Sequence, residues 1–590
     1  MAVRRGVPLV LGLIGLAMLV SAIGVTLIYQ AAAGRGRGGT RGGTLVLRPG
    51  GELPERTPDD VVGQFLGRDA GTVRQLVDSL RRAKTDPRVS GVLLMPSAIE
   101  SPFWAKLQEV RDAVLDFKTS GKPVTSFLEY GGDREYYLAS AADRIYLLRS
   151  SPLELSGIAS YEVFLRGALD KVGVEPEYLH VGEYKSAPNQ WTETSMPASH
   201  REMSESLNRD AYEQLVRAVA QSRKKTPQQI RALIDAAPFT PEAALQAGLV
   251  DGLAYEDELD EQVPALADLE DRQIDGADYG RAALAPRPFS RRPSHRIAVI
   301  YAVGTIVSGD GGYDTTGGAL IGSNTLVEDI RRVRDDDSID AVVLRIDSPG
   351  GSTTASDVIW RELMRLRQDD ASRPLVASMS DLAASGGYYI AMPAEAIVAQ
   401  PGTMTGSIGV YAGKFAIGET LAKLGIAQET VKSGADADIY SPFAAFTPRQ
   451  REKLQRVIDQ FYEGFVQKAA ESRKMTTAQL DAVARGRVWT GQQALERGLV
   501  DALGGLDAAI ALARERADIP EGEAVEIVVY PRERTFFEAL SDQIGGTSSV
   551  NVWRSLAGAA EGRALASLTA PARLFRRGEP LALMPFTFVR

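Results

Sequence analysis

Two short segments carry residue types suited to acyl transfer. Asp347-Ser348-Pro349-Gly350-Gly351 follows an apolar β-branched run, and two glycines at a strand end let the backbone approach a ligand and turn N–H groups toward a developing oxyanion. Met379-Ser380-Asp381-Leu382-Ala383-Ala384-Ser385-Gly386-Gly387-Tyr388-Tyr389 places a serine where a strand gives way to a helix. Unsatisfied N–H groups at that helix start favour negative charge near Ser385, as a nucleophile position requires. A tight turn would also use Ser-Pro-Gly-Gly, and an N-cap would also use Ser385.

A serine nucleophile needs a base. The chain has no cysteine and only three histidines, His180, His200 and His295, so disulfides, thiolate metal sites and a cysteine nucleophile are excluded and a histidine triad has few candidates. Lysine is the remaining option, provided burial pulls its pKa toward neutrality. Three candidates stand out: Lys185 in Val181-Gly182-Glu183-Tyr184-Lys185-Ser186-Ala187, and Lys414 and Lys432 in the same half as the serine.

Internal repetition discriminates among these residues. Gln75–Leu94 resembles Thr325–Leu344 at an offset of 250, Tyr136–Ile145 resembles Tyr388–Ile397 at 252, and Ala244–Leu253 resembles Ala494–Leu503 at 250. The body is therefore a diverged tandem repeat, with halves at 46–285 and 293–515 joined by a Pro/Arg-rich stretch. Shared positions serve structure, so differences between the copies point to chemistry. Ser385 faces Asp133, the glycine pair faces Ser97-Ala98-Ile99-Glu100-Ser101, and Lys185 faces Ala437. Each half keeps one member of a Ser/Lys pair, which favours Lys185 as the base.

Apolar strands such as Ala341–Ile346 and Leu375–Met379 alternate with helical segments such as Ala355–Arg367, the pattern of a parallel sheet with crossover helices. The fold class is α/β. With 590 residues, 44% hydrophobic and 24% charged, the chain is globular, and a net charge of −9 argues against nucleic acid as a partner.

Residues 1–29 read as a signal-anchor. The uncharged stretch from Val7 to Tyr29 would be roughly 34 Å long as a helix, enough to cross a bilayer. A Gly/Arg-rich linker follows over 30–45, and 516–590 lies outside the repeat, with amphipathic helices expected at 536–544 and 553–574.

Asp347-Ser-Pro-Gly-Gly, Ala383-Ala-Ser-Gly-Gly-Tyr, Thr405-Gly-Ser-Ile-Gly and Tyr184-Lys-Ser-Ala together resemble the signal peptide peptidase A family in its long, duplicated form, within the Clp protease/crotonase-like group. The resemblance implies two tandem Clp protease/crotonase-like domains, with Ser385 as nucleophile, Lys185 as general base, Gly351 and Gly386 N–H groups as the oxyanion hole, and Ser407 orienting Lys185. It implies no cofactor or metal. It also implies remnant signal peptides as substrates, a homotetramer, and a single-pass protein of the bacterial inner membrane with its catalytic body on the periplasmic side. Two other readings use the same residues: a crotonase-type acyl-CoA enzyme with Asp347 or Glu395 as acid or base, and a silent scaffold.

Overall fold

The computed structural model describes residues 42–56, 71–266, 269–284, 293–314, 318–532, 579–584 and 588–589. The apolar stretch 7–29, residues 286–292 between the halves, and the segments 536–544 and 553–574 lie outside these residues. Among the described residues no helix is long and apolar enough to cross a membrane.

Each half builds a largely parallel sheet from its buried β-branched runs. In the first half the strand order is Gly252–Ala254, Arg144–Leu148, Val124–Leu128, Val89–Leu94, Gly43–Leu47, Gln273–Asp275, parallel throughout. The second half repeats the theme with Leu375–Ala384, Ala341–Ser348, His295–Val303 and Val525–Tyr530 as parallel neighbours. Its far edge is Met404–Gly406, followed by antiparallel Val488–Thr490. All-parallel strands need cover on both faces, and the crossover helices supply it. Val73–Thr85 and Ala105–Lys118 in the first half correspond to Ser323–Arg334 and Thr353–Asp369 in the second.

Local chemistry repeats as faithfully as topology. Ala198–Arg223 and Pro448–Arg473 are both 26-residue helices ending on a left-handed lysine, Lys224 and Lys474. Thr226 with Gln229 and Thr476 with Gln479 form the same capping box after each. Tyr136 donates to the Leu249 carbonyl in one half and Tyr388 to the Leu499 carbonyl in the other. Arg223–Asp251 and Arg473–Asp501 repeat as bidentate ion pairs. Two large cores result, one per half, each filled between sheet and helices.

A third, seven-stranded sheet joins the halves. Its order is Glu175–Val181, Val410–Ala416, Leu581–Leu583, Gly350–Ser352, Thr305–Val307, Gly318–Gly322, Gly312–Asp314. Glu175–Val181 belongs to the first half and pairs antiparallel over seven residues with Val410–Ala416 of the second. This seam carries the lysine loop into the neighbourhood of the serine.

Candidate active site

Ser385 ends the strand Leu375–Ala384 and precedes the short helix Gly386–Ala391. Its backbone lies at φ +58, ψ −111, a region that costs a non-glycine residue of order 1–3 kcal/mol. Two backbone bonds hold it there: Ser385 N–H donates to Gly406 O at 2.7 Å, and Tyr389 N–H donates to Ser385 O at 2.9 Å. The hydroxyl makes no capping bond. It faces Lys185 instead, with Nζ and Oγ 2.7 Å apart.

Lys185 reaches this point through a loop built by glycines. Gly182 turns at φ +97, and Tyr184 N–H donates to Arg485 O at 3.0 Å. Gly486, at φ +81, passes so close that a Cβ there would stand 2.5–2.6 Å from the Lys185 backbone. Lys185 Nζ also lies 3.1 Å from both the carbonyl oxygen and Oγ of Ser407. Ser407 is itself held at φ +51, its N–H donating to Arg487 O at 2.7 Å. Lys185 is 1% exposed and Ser385 0%. Burial drives the lysine pKa well below its ordinary value, because the charged form loses its hydration.

Gly351 comes up against Gly386, the residue that follows Ser385. A Cβ on Gly386 would lie 3.1 Å from Gly351 N, so the two N–H groups are neighbours. Gly350 turns the chain at φ +99 and spends its own N–H on Ser348 Oγ at 3.2 Å, leaving Gly351 and Gly386 as the donor pair. The structure thus brings Ser385, Lys185, Ser407, Gly351 and Gly386 to one place.

The competing candidates lie elsewhere. Lys414 donates to Ile439 O at 2.9 Å and sits over the Phe446 ring, and Lys432 pairs with Asp438 at 2.8 Å. His200 is engaged with Glu162, and His295 with Asp340 and Glu523. Glu395 pairs with Arg367 and Arg516. Among the described residues no cluster of three or more His, Asp or Glu could hold a metal ion.

Behind the serine strand runs a buried ion network contributed by both halves. Lys106 pairs with Asp347 at 2.8 Å and lies 3.6 Å from Asp381. Arg345 forks onto Glu55 and reaches Glu109 at 2.7 Å. Burial opposes every charge here, yet Arg345 and Lys106 hold the Glu55 carboxyl at about 2. Asp347 also accepts from Leu382 N–H at 3.1 Å, and Asp381 accepts from Lys106 N–H at 3.0 Å, so the network grips the strand end that presents Ser385. Asp347 is therefore committed to a cation and the backbone.

Residues 116–270 and 367–520 each match Peptidase family S49, one match in each half. The chain belongs to peptidase family S49. The S49 match is accompanied by relatives matched over most of both chains. The serine protease SPPA, chloroplastic, of Arabidopsis thaliana is 36% identical over 488 residues, covering 82% of this chain and 71% of that one. Protease 4 of Salmonella typhi is 31% identical over 548 residues, covering 89% and 86%. Protease 4 of Haemophilus influenzae is 29% identical over 542 residues, covering 87% and 86%. This S49 protein is accordingly a serine peptidase of the long, duplicated form.

Sequence reasoning did not find Gly486, Arg485 or the Lys106 network. Gly486 had a signal: at the 250 offset it faces Ala236, the same kind of asymmetry that singles out Ser385. Lys106 had none, because its partners are more than 200 residues away in sequence.

Proposed function

We propose that this S49 peptidase cleaves apolar peptides, remnant signal peptides among them, with a Ser385/Lys185 dyad. The observation that carries the reading is the 2.7 Å approach of Lys185 Nζ to Ser385 Oγ inside a site closed to water. A neutral amine has two N–H bonds and one lone pair. Ser407 O can only accept, and Ser407 Oγ takes the second N–H, so the lone pair is left for the Ser385 hydroxyl proton. Ser407 is in this way a positioning residue for the base.

In the first step Ser385 Oγ bonds to the scissile carbonyl carbon while its proton moves to Lys185 Nζ. Negative charge collects on the carbonyl oxygen between the Gly351 and Gly386 N–H groups. Collapse breaks the C–N bond, and the lysine gives its proton to the leaving amine. Water, deprotonated by the same amine, then bonds to the acyl carbon; the Ser385 Oγ–C bond breaks and the lysine returns the proton to Oγ, releasing the acid.

The anchor at 7–29 would tether the body to the bacterial inner membrane, with the catalytic body on the periplasmic side, where apolar peptides collect. The relative in Enterococcus faecium named as a putative signal peptide peptidase SppA supports the substrate class. The exposed apolar side chains Leu424, Ile426 and Val431, within one short stretch, support homo-oligomer assembly, a homotetramer on the family resemblance.

The test is a serine-directed acylating probe applied to the full-length protein. Mass spectrometry should find the adduct on Ser385 in the parent and none in Ser385→Ala or Lys185→Ala; equal labelling of the Lys185 variant would refute the dyad. The pH profile gives a second check. Only the unprotonated amine accepts a proton, so kcat/KM rises with pH through the lysine pKa. Because burial lowers that pKa, the rise falls well below the ordinary lysine range.

A further inference from the structure

Three consecutive residues of the second half, Arg485, Gly486 and Arg487, border the base, and at the 250 offset they face Asp235, Ala236 and Ala237. Gly486 gives the Lys185 loop its room. Arg487 stands where the other copy has an alanine, and it touches both sides of the seam.

The backbone of Arg487 serves the second half. Val488–Thr490 pairs antiparallel with Met404–Gly406, and at the end of that ladder Arg487 O accepts the Ser407 N–H at 2.7 Å. Ser407 is the residue whose carbonyl and Oγ both lie 3.1 Å from Lys185 Nζ. The side chain serves the first half. Its Cζ lies over two rings at once, 4.6 Å from the centroid of Tyr184 and 4.4 Å from that of Trp489. Nη1 donates to Glu202 Oε1 at 2.7 Å, and Tyr184 OH donates to Glu202 Oε2 at 3.0 Å. Glu202 lies near the start of the helix Ala198–Arg223, where Ser199 Oγ also donates to Glu183 O at 2.7 Å. The two residues before Lys185 are thus tied to one helix start, and Arg487 closes a bracket over them. A planar fork that stacks on rings while bonding a carboxylate is a property of arginine that lysine lacks.

The charges around the loop pair off. Glu202 meets Arg487, while Glu183 and Asp481 meet Arg485 at 3.6 and 3.0 Å. Hydrogen bonds from Arg487 and Tyr184 hold the Glu202 carboxyl below its ordinary range, so the bracket stays charged through neutral pH. Lys185, by contrast, is neutral because it is dry. Water admitted beside Nζ would restore hydration of the charged form and return the amine toward ordinary lysine behaviour.

We propose that Arg487 is a positioning residue for the general base: its side chain grips Tyr184 and its carbonyl grips Ser407, so that Lys185 is held against Ser385 and shielded from water. The proposal rests on Lys185 being the base, and it adds what keeps that base in register across the seam.

The experiment measures kcat, KM and their pH profiles for a fluorogenic peptide with the full-length protein. On the acid limb, Arg487→Ala should lower kcat/KM about 30-fold with KM changed less than about 2-fold, the limb itself moving about one unit toward higher pH. About 10-fold of the loss should therefore return above the limb, where the amine is neutral again. Arg487→Lys keeps the charge without the stacked plane and should recover part of the shift. Tyr184→Phe removes only the hydroxyl bond to Glu202 and should move the limb less, in the same direction. Arg497→Ala is the control: its guanidinium packs on Trp489 at 3.9 Å, and its loss should leave kcat/KM and the limb unchanged. The rate at which a serine-directed acylating probe labels Ser385 should show the same limb shift without peptide turnover. An equal loss at every pH with the limb in place would overturn the proposal, because that is the signature of a seam support. So would unchanged kinetics in Arg487→Ala, or an equal limb shift in Arg497→Ala. If Arg487→Ala does not fold, an unmoved limb in both Arg487→Lys and Tyr184→Phe overturns it, as does unfolding of all three. Should Lys185→Ala retain activity with the parent's acid limb, the base assignment fails instead.

Discussion

The two halves share a backbone and differ at one corner. After the strand Val124–Leu128 the first half places Asp133; after Leu375–Ala384 the second places Ser385. Asp133 accepts from Gly157 N–H at 2.9 Å and from Ser156 Oγ at 3.4 Å, closing its own loop. The Ser385 side chain closes no such loop and faces an amine from the other half. The lysine corner is the mirror case. Lys185 is sunk in the seam, whereas Ala437, its counterpart, lies exposed in a turn. The duplicated scaffold appears twice, and each copy carries one member of the proposed Ser385/Lys185 pair.

The sharpest way to break this comparison is to exchange roles. Ser385→Ala or Lys185→Ala should each lower kcat/KM at least about 10⁴-fold in a peptide assay, while Asp133→Ala changes it less than about 3-fold. Comparable losses in all three would mean that both halves carry chemistry.

Next in size is the ion network that docks the halves. Lys106→Met leaves Asp347 and Asp381 buried without their cation and should cost about 3–5 kcal/mol in denaturant unfolding. Adding Asp347→Asn should recover part of it, and a double-mutant cycle measures how much. Gly486→Ala should cost about 100-fold in kcat, because the added methyl pushes the Lys185 loop away from the serine. The matched change Ala236→Gly in the first half should leave kcat alone.

Much of this site is legible in the sequence because the repeat acts as its own control. Comparing copies isolates Ser385, Lys185 and the Gly350-Gly351 pair without a histidine or metal to mark them, and the β-branched runs announce the parallel sheets. The seam is less legible. Antiparallel pairing of Glu175–Val181 with Val410–Ala416 joins residues more than 200 positions apart, and no local pattern encodes such a partner. Leu581–Leu583 is harder still: three apolar residues carry no period, and their strand character comes entirely from the edges that receive them.

The smallest effect concerns Asp133 itself. Burial pushes its carboxyl up to about 6. The folded state therefore holds this proton more tightly than the unfolded chain does, so its stabilising contribution is complete below the unfolded pKa and is lost as pH rises through about 6. Asp133→Asn keeps an acceptor for Gly157 N–H without the buried charge. It should raise stability at pH 8 by about 1–3 kcal/mol, with no gain at pH 4, in paired thermal melts.

The separation of amine and alcohol by 200 residues has a bearing on how such an enzyme is made. A ribosome adding about 5–20 residues per second spends roughly 10–40 s between the two. Throughout that interval the emerging polypeptide is harmless to its surroundings, because neither reactive group has met the other. On the proposed dyad, the site is assembled only when the second sheet closes against the first.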